Sequence, residues 1–429
     1  ERALDPHVYV TREYAPLSKR MKAYTDYAKA VPRAVGQMRD NLKPPLPRSY
    51  IEIGRAIFGG LASFYEKDVP AVFAFVKDAR LQENFHAAND GAVRAMKEIV
   101  AWLDGLMKTA TDDFALGPER FQEMLRTTER VDVSLESLER AGRQDLERNL
   151  AALREACHAY APGKTIPECV ALIDAEKPEG GAVNEARRQL SELKTFLLEK
   201  KLVSIPGAEG AHVAESPPYR RYNLAYIDIP GPYEKGLPST YYIAPPDPSW
   251  SKAEREAYIP GKADLLFVSV HEVWPGHFLH FLHAHRMPSK FGQVFVGYAF
   301  AEGWAHYAEE MMWEAGLGNG APEIRIGQLM NALLRDVRLI CAIGLHTGRM
   351  TVAEAERMFR ESAFQDPANA RQQAARGTFD PAYINYTMGK LMIRKLREDW
   401  TASRGGRQAW REFHDRFLTF GGPPIPLVR

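Results

Sequence analysis

Two histidines and a glutamate, His271, Glu272 and His277, lie close together inside an apolar run that spans residues 265–282. Burying such ionisable groups is costly unless they are paired or bind a metal ion. Imidazole and carboxylate groups are ordinary zinc ligands, and zinc can activate a water molecule for hydrolysis. The segment therefore predicts a hydrolytic zinc site.

The spacing of the two histidines is unusual for such a site. In the motif H-E-x-x-H, both imidazoles share one helical face and the glutamate serves as general base. Here His277 follows His271 by six residues, and a regular helix would leave the two rings about 120° apart. Pro275 and Gly276 lie between them, and both residue types break or bend helices. The site can form only if the helix is distorted there.

A third ligand is expected from a neighbouring helix, which leaves one position open for water. Glu302, His306 and Glu309 recur at positions i, i+4 and i+7 and share one helical face. We predict Glu302 as the ligand, with His306 and Glu309 orienting the ligands by hydrogen bonds. The alternative is a solvated polar stripe, but the neighbours Gly303 and Trp304 favour burial.

Helical periodicity dominates the elements that must position these residues. Apolar residues recur at three- and four-residue spacing. This pattern predicts helices over residues 12–41, 49–65, 72–108, 118–127, 131–161, 180–201, 263–285, 297–315, 322–345, 352–363, 370–376, 381–403 and 408–418.

Residues 219–229 and 239–243 are rich in aromatic and β-branched side chains and predict two strands. A structural hairpin and an edge that pairs with an extended peptide are both compatible with them. We therefore expect a mainly α protein, with a helical scaffold over residues 1–210, a small β insertion over 211–260 and a helical catalytic region over 261–429.

Bulk properties exclude some classes of protein. The 429 residues carry a formal net charge of +1, so no global field favours nucleic acid or an anionic membrane. No uncharged apolar run reaches the roughly 18 residues of a membrane-spanning helix.

For Cys157, Cys169 and Cys341 we expect buried free thiols, with a Cys157–Cys169 disulfide as the alternative. The sequence begins with Glu1, so a removed leader, export to the periplasm, a lipoprotein form and a cytoplasmic location all stay open.

The motifs H-E-x-x-P-G-H and E-G-W-A-x-Y-x-E resemble those of a large bacterial family known as a domain of unknown function. The similarity includes residues 217–219, 344–346, 386–390 and 413–415. That family resembles the helical gluzincin-type zinc peptidases of the angiotensin-converting-enzyme, thimet-oligopeptidase and Taq-carboxypeptidase groups. In those groups a glutamate roughly 25 residues after the second histidine is the third ligand, and Glu302 follows His277 by 25 residues. The interval between the histidines is two residues longer here.

This resemblance implies a neurolysin-like helical body with a deep cleft. It also implies His271, His277 and Glu302 as zinc ligands and Glu272 as general base. The developing oxyanion then needs a donor besides the metal, and in the helical peptidases a tyrosine or histidine from a distant C-terminal helix supplies it.

The candidates for that donor are Tyr386 and His346, with Tyr383 as a reserve. A lone tyrosine on an amphipathic helix is more often a packing residue. Arg338 and Arg394 could bind a substrate carboxylate, although helix-surface ion pairing is the commoner role of arginine.

His280, His283 and His285 stay outside the predicted ligand set.

The leading interpretation is a zinc-dependent peptidase of short peptides, acting as a carboxypeptidase or dipeptidase. One alternative is a metal-dependent amide or ester hydrolase of a small metabolite. Another is a non-catalytic binding protein on the same metal fold, which has no need of the base Glu272. An unrelated helical protein is the last alternative, and the oligomeric state stays open.

Overall fold

The protein is described by a computed structural model that covers residues 4–221 and 223–428. This part of the chain is mainly helical and contains a small three-stranded sheet, which confirms the predicted fold class. None of its helices combines the length and apolar character that a bilayer crossing requires. The deep cleft stays a prediction.

The chain divides into two compact units, of which the first comprises Glu1–Phe114 and Glu215–Leu224. An aromatic core of Tyr24, Tyr65, Phe73 and Phe85 holds it together. Buried Asn89 accepts a hydrogen bond from the Tyr24 hydroxyl and donates one to the carbonyl of Tyr65. The helices of this unit are α1 (His7–Thr11), α2 (Leu17–Asn41), α3 (Arg48–Phe73) and α4 (Ala79–Leu106).

The single helix predicted over residues 72–108 is wrong, because α3 ends at Phe73 and α4 begins at Ala79. Asp78 caps the new helix by accepting a hydrogen bond from the backbone N–H of Leu81. The Gln82 amide donates to the carbonyl of Phe73 at the end of α3 and to that of Val76 in the turn. Side-chain caps therefore stabilise a break that apolar periodicity does not show.

The second unit comprises Ala115–Ala214 and Ala225–Arg429. Its helices before the sheet are α5 (Pro118–Glu129), α6 (Leu135–Tyr160), α7 (Ile166–Ala175) and α8 (Ala182–Lys200). Those after the sheet are α9 (Lys252–Tyr258), α10 (Lys262–Glu272), α11 (His277–Ala284), α12 (Lys290–Val294), α13 (Tyr298–Glu314), α14 (Pro322–His346), α15 (Val352–Ser362), α16 (Pro367–Phe379), α17 (Asn385–Thr401) and α18 (Trp410–Leu418). Short helices such as α7 were not predicted, because their caps rather than long apolar stripes define them.

The sheet contains β1 (Ala211–Glu215), β2 (Ala225–Asp228) and β3 (Ser239–Ile243) in the order β1–β3–β2. β2 and β3 are antiparallel, with Ala225 opposite Ile243. The predicted strand over residues 219–229 is confirmed only in its second half, since Pro218–Arg220 forms a 3-10 turn, and Tyr222 lies outside the described residues. β1 was not predicted, because its sequence lacks the aromatic and β-branched enrichment of β3.

Helices α10, α11, α13, α14 and α17 carry the predicted site residues. α13 and α17 meet at a pair of glycines, where a Cβ on Gly303 would lie 2.6 Å from the Cα of Gly389. Only glycine permits this approach. It places α17 directly against the helix that carries Glu302.

A buried charge cluster joins α13, α14 and α17 to α6. The ammonium of Lys390, which is fully buried, pairs with Asp145 and lies 3.7 Å from Glu310 and 4.0 Å from Asp336. Arg148 binds both Asp145 and Glu310 at 2.8 Å. Removing one member would leave an uncompensated buried charge, so the cluster specifies how α6, α13, α14 and α17 pack.

The expectation of free thiols at Cys157 and Cys169 is wrong. The two residues form a disulfide that joins α6 to α7, whereas Cys341 is free and buried. Their spacing alone did not reveal that the turn after α6 returns α7 alongside it. Packing of the two helices brings the sulfur atoms together.

We expect the Cys157→Ser/Cys169→Ser variant to unfold at a lower temperature than the wild type. Closing a loop of 12 residues restricts the unfolded chain and stabilises the fold by up to about 3 kcal/mol. The measurement is thermal unfolding with and without dithiothreitol. Reductant should lower the Tm of the wild type and leave that of the variant unchanged; equal responses would contradict the prediction.

Candidate metal centre

The chain changes direction between the two predicted histidine ligands. α10 ends at Glu272, α11 begins at His277, and Val273 and Gly276 have non-helical backbone angles. A Cβ on Gly276 would overlap the carbonyl oxygen of His271, so only glycine fits there. The indole N–H of Trp304 donates to the carbonyl of Pro275 at 2.8 Å. The predicted distortion at Pro275 and Gly276 is therefore confirmed, and α13 holds it in place.

This break brings the three predicted ligands together. Oε2 of Glu302 lies 3.2 Å from Nε2 of His271 and 3.2 Å from Nε2 of His277. The three candidate ligand atoms all lie within 4.8 Å of one another. The side chains of His277 and Glu302 keep 13% and 15% exposure, so the cluster is buried on one side and reachable from the other.

The donor set fits a zinc ion. A tetrahedral ion with bonds of about 2.0–2.1 Å separates its ligand atoms by about 3.4 Å, close to the two distances that end at Glu302. Two imidazoles and one carboxylate leave the fourth position open, as in catalytic rather than structural zinc sites. His271, His277 and Glu302 are therefore the residues that would hold the ion.

Glu309 binds the opposite side of the His271 ring. Its Oε1 lies 2.7 Å from Nδ1 of His271, and its Oε2 lies 3.2 Å from Nδ1 of His306. Arg335 reaches the same carboxylate at 3.2 Å. Because a carboxylate only accepts, Nδ1 of His271 carries the proton and Nε2 is directed at the candidate metal position. Glu309 thus makes the hydrogen bond with His271 that its predicted orienting role requires.

The charges of the cluster follow from these contacts. Burial and Arg335 lower the pKa of His271, but hydrogen bonds to Glu302 and Glu309 outweigh them and raise the pKa to about 9. Burial raises the pKa of Glu302, yet His277 and His271 hold it well below its ordinary value. Burial lowers the pKa of His306 to about 3, so His306 is neutral and donates from Nδ1.

Glu272 is the last residue of α10 and lies beside the cluster. It is 8% exposed, and burial raises the pKa of its carboxyl, while His277 and His271 oppose that shift. Within the described part of the chain, its carboxylate makes no hydrogen bond and no salt bridge. A carboxylate that no structural contact occupies, beside the candidate ligands, is available to act as a general base.

Tyr386 of α17 lies on the other side of His271. Its ring stacks on the imidazole at 6.0 Å between centroids, with 15° between the planes. Its hydroxyl accepts a hydrogen bond from Arg376 at 3.4 Å, which leaves the hydroxyl proton free to donate. Burial raises the pKa of Tyr386, and the nearby Glu302 raises it further, so the hydroxyl stays protonated.

Tyr298 is a site residue that sequence reasoning missed. It precedes Glu302 by one helical turn, accepts from Arg376 at 3.1 Å and donates to Asp380 at 3.4 Å. Its position at i−4 from a predicted ligand was the available signal. Arg376 could not be anticipated, since it comes from α16, far along the chain.

Other predicted residues do not join the cluster. His346 binds the carbonyl of Gly377 at 2.8 Å and faces the backbone N–H of Leu116 at 3.4 Å, so both ring nitrogens have structural partners. Tyr383 is fully buried beneath Arg376. Arg394 pairs with Glu310 and Asp145 in the buried charge cluster.

Two of the three histidines that we left out of the ligand set hold other segments. Nε2 of His280 donates to the carbonyl of Gly421 at 2.5 Å, and Nε2 of His283 donates to that of Ser204 at 2.8 Å. Burial lowers the pKa of His280 to about 3. These contacts make α11 a packing element beyond its first residue, His277.

The chain belongs to the family described as "Bacterial protein of unknown function (DUF885)", whose profile matches residues 5–429. It resembles a solved structure from Shewanella oneidensis, described as a "putative lipoprotein of unknown function", with a TM-score of 0.77, 23% identity, and coverage of 99% of this chain and 80% of that chain. A protein from Colwellia psychrerythraea described as a "putative lipoprotein" gives a TM-score of 0.82 at 19% identity, with coverage of 99% of this chain and 77% of that chain. These likenesses concern the fold. No curated protein gave a significant match.

We predict that Glu309→Gln weakens zinc binding about 10- to 100-fold, because His271 loses the acceptor that orients its ring. Competition with a chromogenic chelator measures the affinity. Glu314→Gln is the matched control, since Glu314 lies on the same helix but pairs with Arg397. Equal affinities of the two variants would refute the role of Glu309.

Proposed function

We propose that the protein is a zinc-dependent hydrolase that cleaves short peptides. The observation that carries the proposal is the buried Glu272 carboxylate, free of structural partners in the described chain, beside three converging ligands. A metal site that only binds or stabilises has no need of such a base. The resemblance of the two motifs to helical zinc peptidases supports the same class.

The residues divide the chemistry among themselves. A zinc ion held by His271, His277 and Glu302 would supply Lewis acidity, which polarises a carbonyl and lowers the pKa of water towards about 7. Glu272 accepts the proton of the attacking water and then delivers it to the leaving amine. Tyr386 donates its free hydroxyl proton to the oxygen on which negative charge develops.

One feature of the fold favours a peptide over a small metabolite. β2 is an edge strand of the sheet and contacts α10, the helix that carries His271 and Glu272. An edge strand offers main-chain donors and acceptors to an extended peptide. Hydrolysis of a small amide or ester remains the second candidate, because the same cluster would perform it.

We further propose that the protein is exported. The Cys157–Cys169 disulfide is typical of oxidising compartments. The names of the two structural relatives, which contain the word lipoprotein, support the same location. Mass spectrometry of native protein from separated periplasmic and cytoplasmic fractions, with thiols alkylated before reduction, should find the protein in the periplasmic fraction with the disulfide formed. A cytoplasmic protein with alkylated cysteines would contradict export.

Metal removal tests the site. The purified chain should contain about one zinc ion, lose turnover with a chelator and regain it when zinc is added. His277→Ala should abolish stoichiometric zinc, whereas His283→Ala should retain it, because His283 only holds the carbonyl of Ser204. Elemental analysis measures both. A wild type that takes up no zinc would refute the site.

Two substitutions test the assigned chemistry. Glu272→Gln should keep zinc and lose about 10²–10⁴-fold in kcat. Tyr386→Phe should lose about 10²-fold in kcat with little change in KM, whereas Tyr383→Phe should retain turnover. Hydrolysis of a peptide library, read by mass spectrometry, supplies the rates. Glu272 is wrongly assigned as the base if Glu272→Gln stays active. Tyr386 is wrongly assigned as the donor if Tyr386→Phe retains turnover and Tyr383→Phe loses it.

A further inference from the structure

Arg338 of α14 is a buried cation without an acidic partner. Its side chain is 7% exposed, and within residues 4–221 and 223–428 no carboxylate forms a salt bridge with it. Burial and the neighbouring Arg376 lower its pKa to about 10, so it is charged at neutral pH. An unpaired buried charge costs free energy, which makes Arg338 a site that an anionic ligand would complete.

The guanidinium is held in a defined orientation. Its Nε donates to Oε1 of Gln373 at 2.9 Å. The terminal nitrogens Nη1 and Nη2 make no hydrogen bond to any described residue. A guanidinium fixed through Nε presents its two terminal N–H groups as a fork, and this geometry matches both oxygens of a carboxylate.

The neighbouring arginines are already occupied. Arg335 binds Glu309, Arg376 binds Asp380 at 2.8 Å, and Arg394 pairs with Glu310. Arg338 therefore differs from these three in having both terminal nitrogens available. The sequence does not distinguish these four arginines, because each of them is part of an amphipathic helix. Only their contacts in the structure distinguish Arg338 from the other three.

Arg338 is also close to the candidate metal centre. Its guanidinium carbon lies 4.8 Å from the centre of the Tyr386 ring, and that ring stacks on His271 at 6.0 Å. The guanidinium is therefore at most about 11 Å from the imidazole of His271, and an extended peptide covers about 3.4 Å per residue. This reach fits a carboxylate one or two residues beyond a peptide bond at the metal.

We propose that Arg338 binds the terminal carboxylate of a peptide substrate through Nη1 and Nη2 and thereby selects cleavage one or two residues from a free C-terminus. The assignment rests on the proposed peptidase function and defines its substrate class. Arg338 is a specificity-determining residue, while Glu272 and Tyr386 perform the chemistry.

The experiment compares two peptides of identical sequence, one with a free C-terminal carboxylate and one with a C-terminal amide, on the zinc-loaded full chain. The wild type should prefer the free acid about 30-fold or more in kcat/KM, the loss expected when a buried charge pair is broken. Arg338→Gln should remove this preference by lowering kcat/KM for the acid alone. Arg394→Gln is the matched control and should keep the preference, since its partners belong to the buried charge cluster.

Calorimetric binding of the same two peptides to zinc-loaded Glu272→Gln gives a readout that needs no turnover. The acid should bind about 30-fold more tightly than the amide, and adding Arg338→Gln should make the two affinities equal. Equal binding of acid and amide without the Arg338 change overturns the proposal, even if Arg338→Gln fails to fold.

The failure of this inference differs from a failure of the proposed function. Peptide hydrolysis without acid preference, or a preference that survives Arg338→Gln, overturns the role of Arg338 and leaves the peptidase proposal standing. Hydrolysis of small amides but of no peptide in the library overturns the peptidase function. In that case, the role of Arg338 is overturned as well if neither the acid nor the amide peptide binds to zinc-loaded Glu272→Gln.

Discussion

Two carboxylates of α13, Glu302 and Glu309, hold one imidazole from both sides, and the geometry of the site depends on this arrangement. Glu302 reaches Nε2 of His271 and Glu309 reaches Nδ1. Glu302 and Glu309 are two helical turns apart, about 10 Å along the helix axis. An imidazole can therefore contact both carboxylates only if it lies between them. α13 therefore fixes the position of α10, and Arg335 of α14 partly neutralises the negative charge that this requires.

The position of α17 follows from packing rather than from polar contacts at the site. Gly303 and Gly389 allow α13 and α17 to touch, and Lys390 pairs with carboxylates of α6, α13 and α14. These contacts set the axial position of α17. Tyr386, one turn before Lys390, is thereby placed against His271, where it can donate a hydrogen bond without being a metal ligand.

Much of the candidate site could be predicted from sequence because its residues are local. His271, Glu272 and His277 lie within seven residues, and the need for a bend at Pro275 and Gly276 followed from helical geometry alone. Glu302 and Glu309 shared a face in a segment too apolar for a surface stripe. Long-range partners could not be predicted in this way. Arg376, for example, reaches Tyr298 and Tyr386 from α16, and no periodicity reports which helix packs against which.

The sequence by itself determined the mainly helical class, the group of candidate ligands and the residue that must bend between them, because each depends on spacing within one or two turns. Only the tertiary structure decided the Cys157–Cys169 disulfide, the structural role of His346 and the difference between Arg338 and Arg394. Those outcomes depend on which side chains meet across helix interfaces. Burial and pairing, rather than residue type, decide whether an arginine joins an ion cluster or, like Arg338, forms no salt bridge with any described residue.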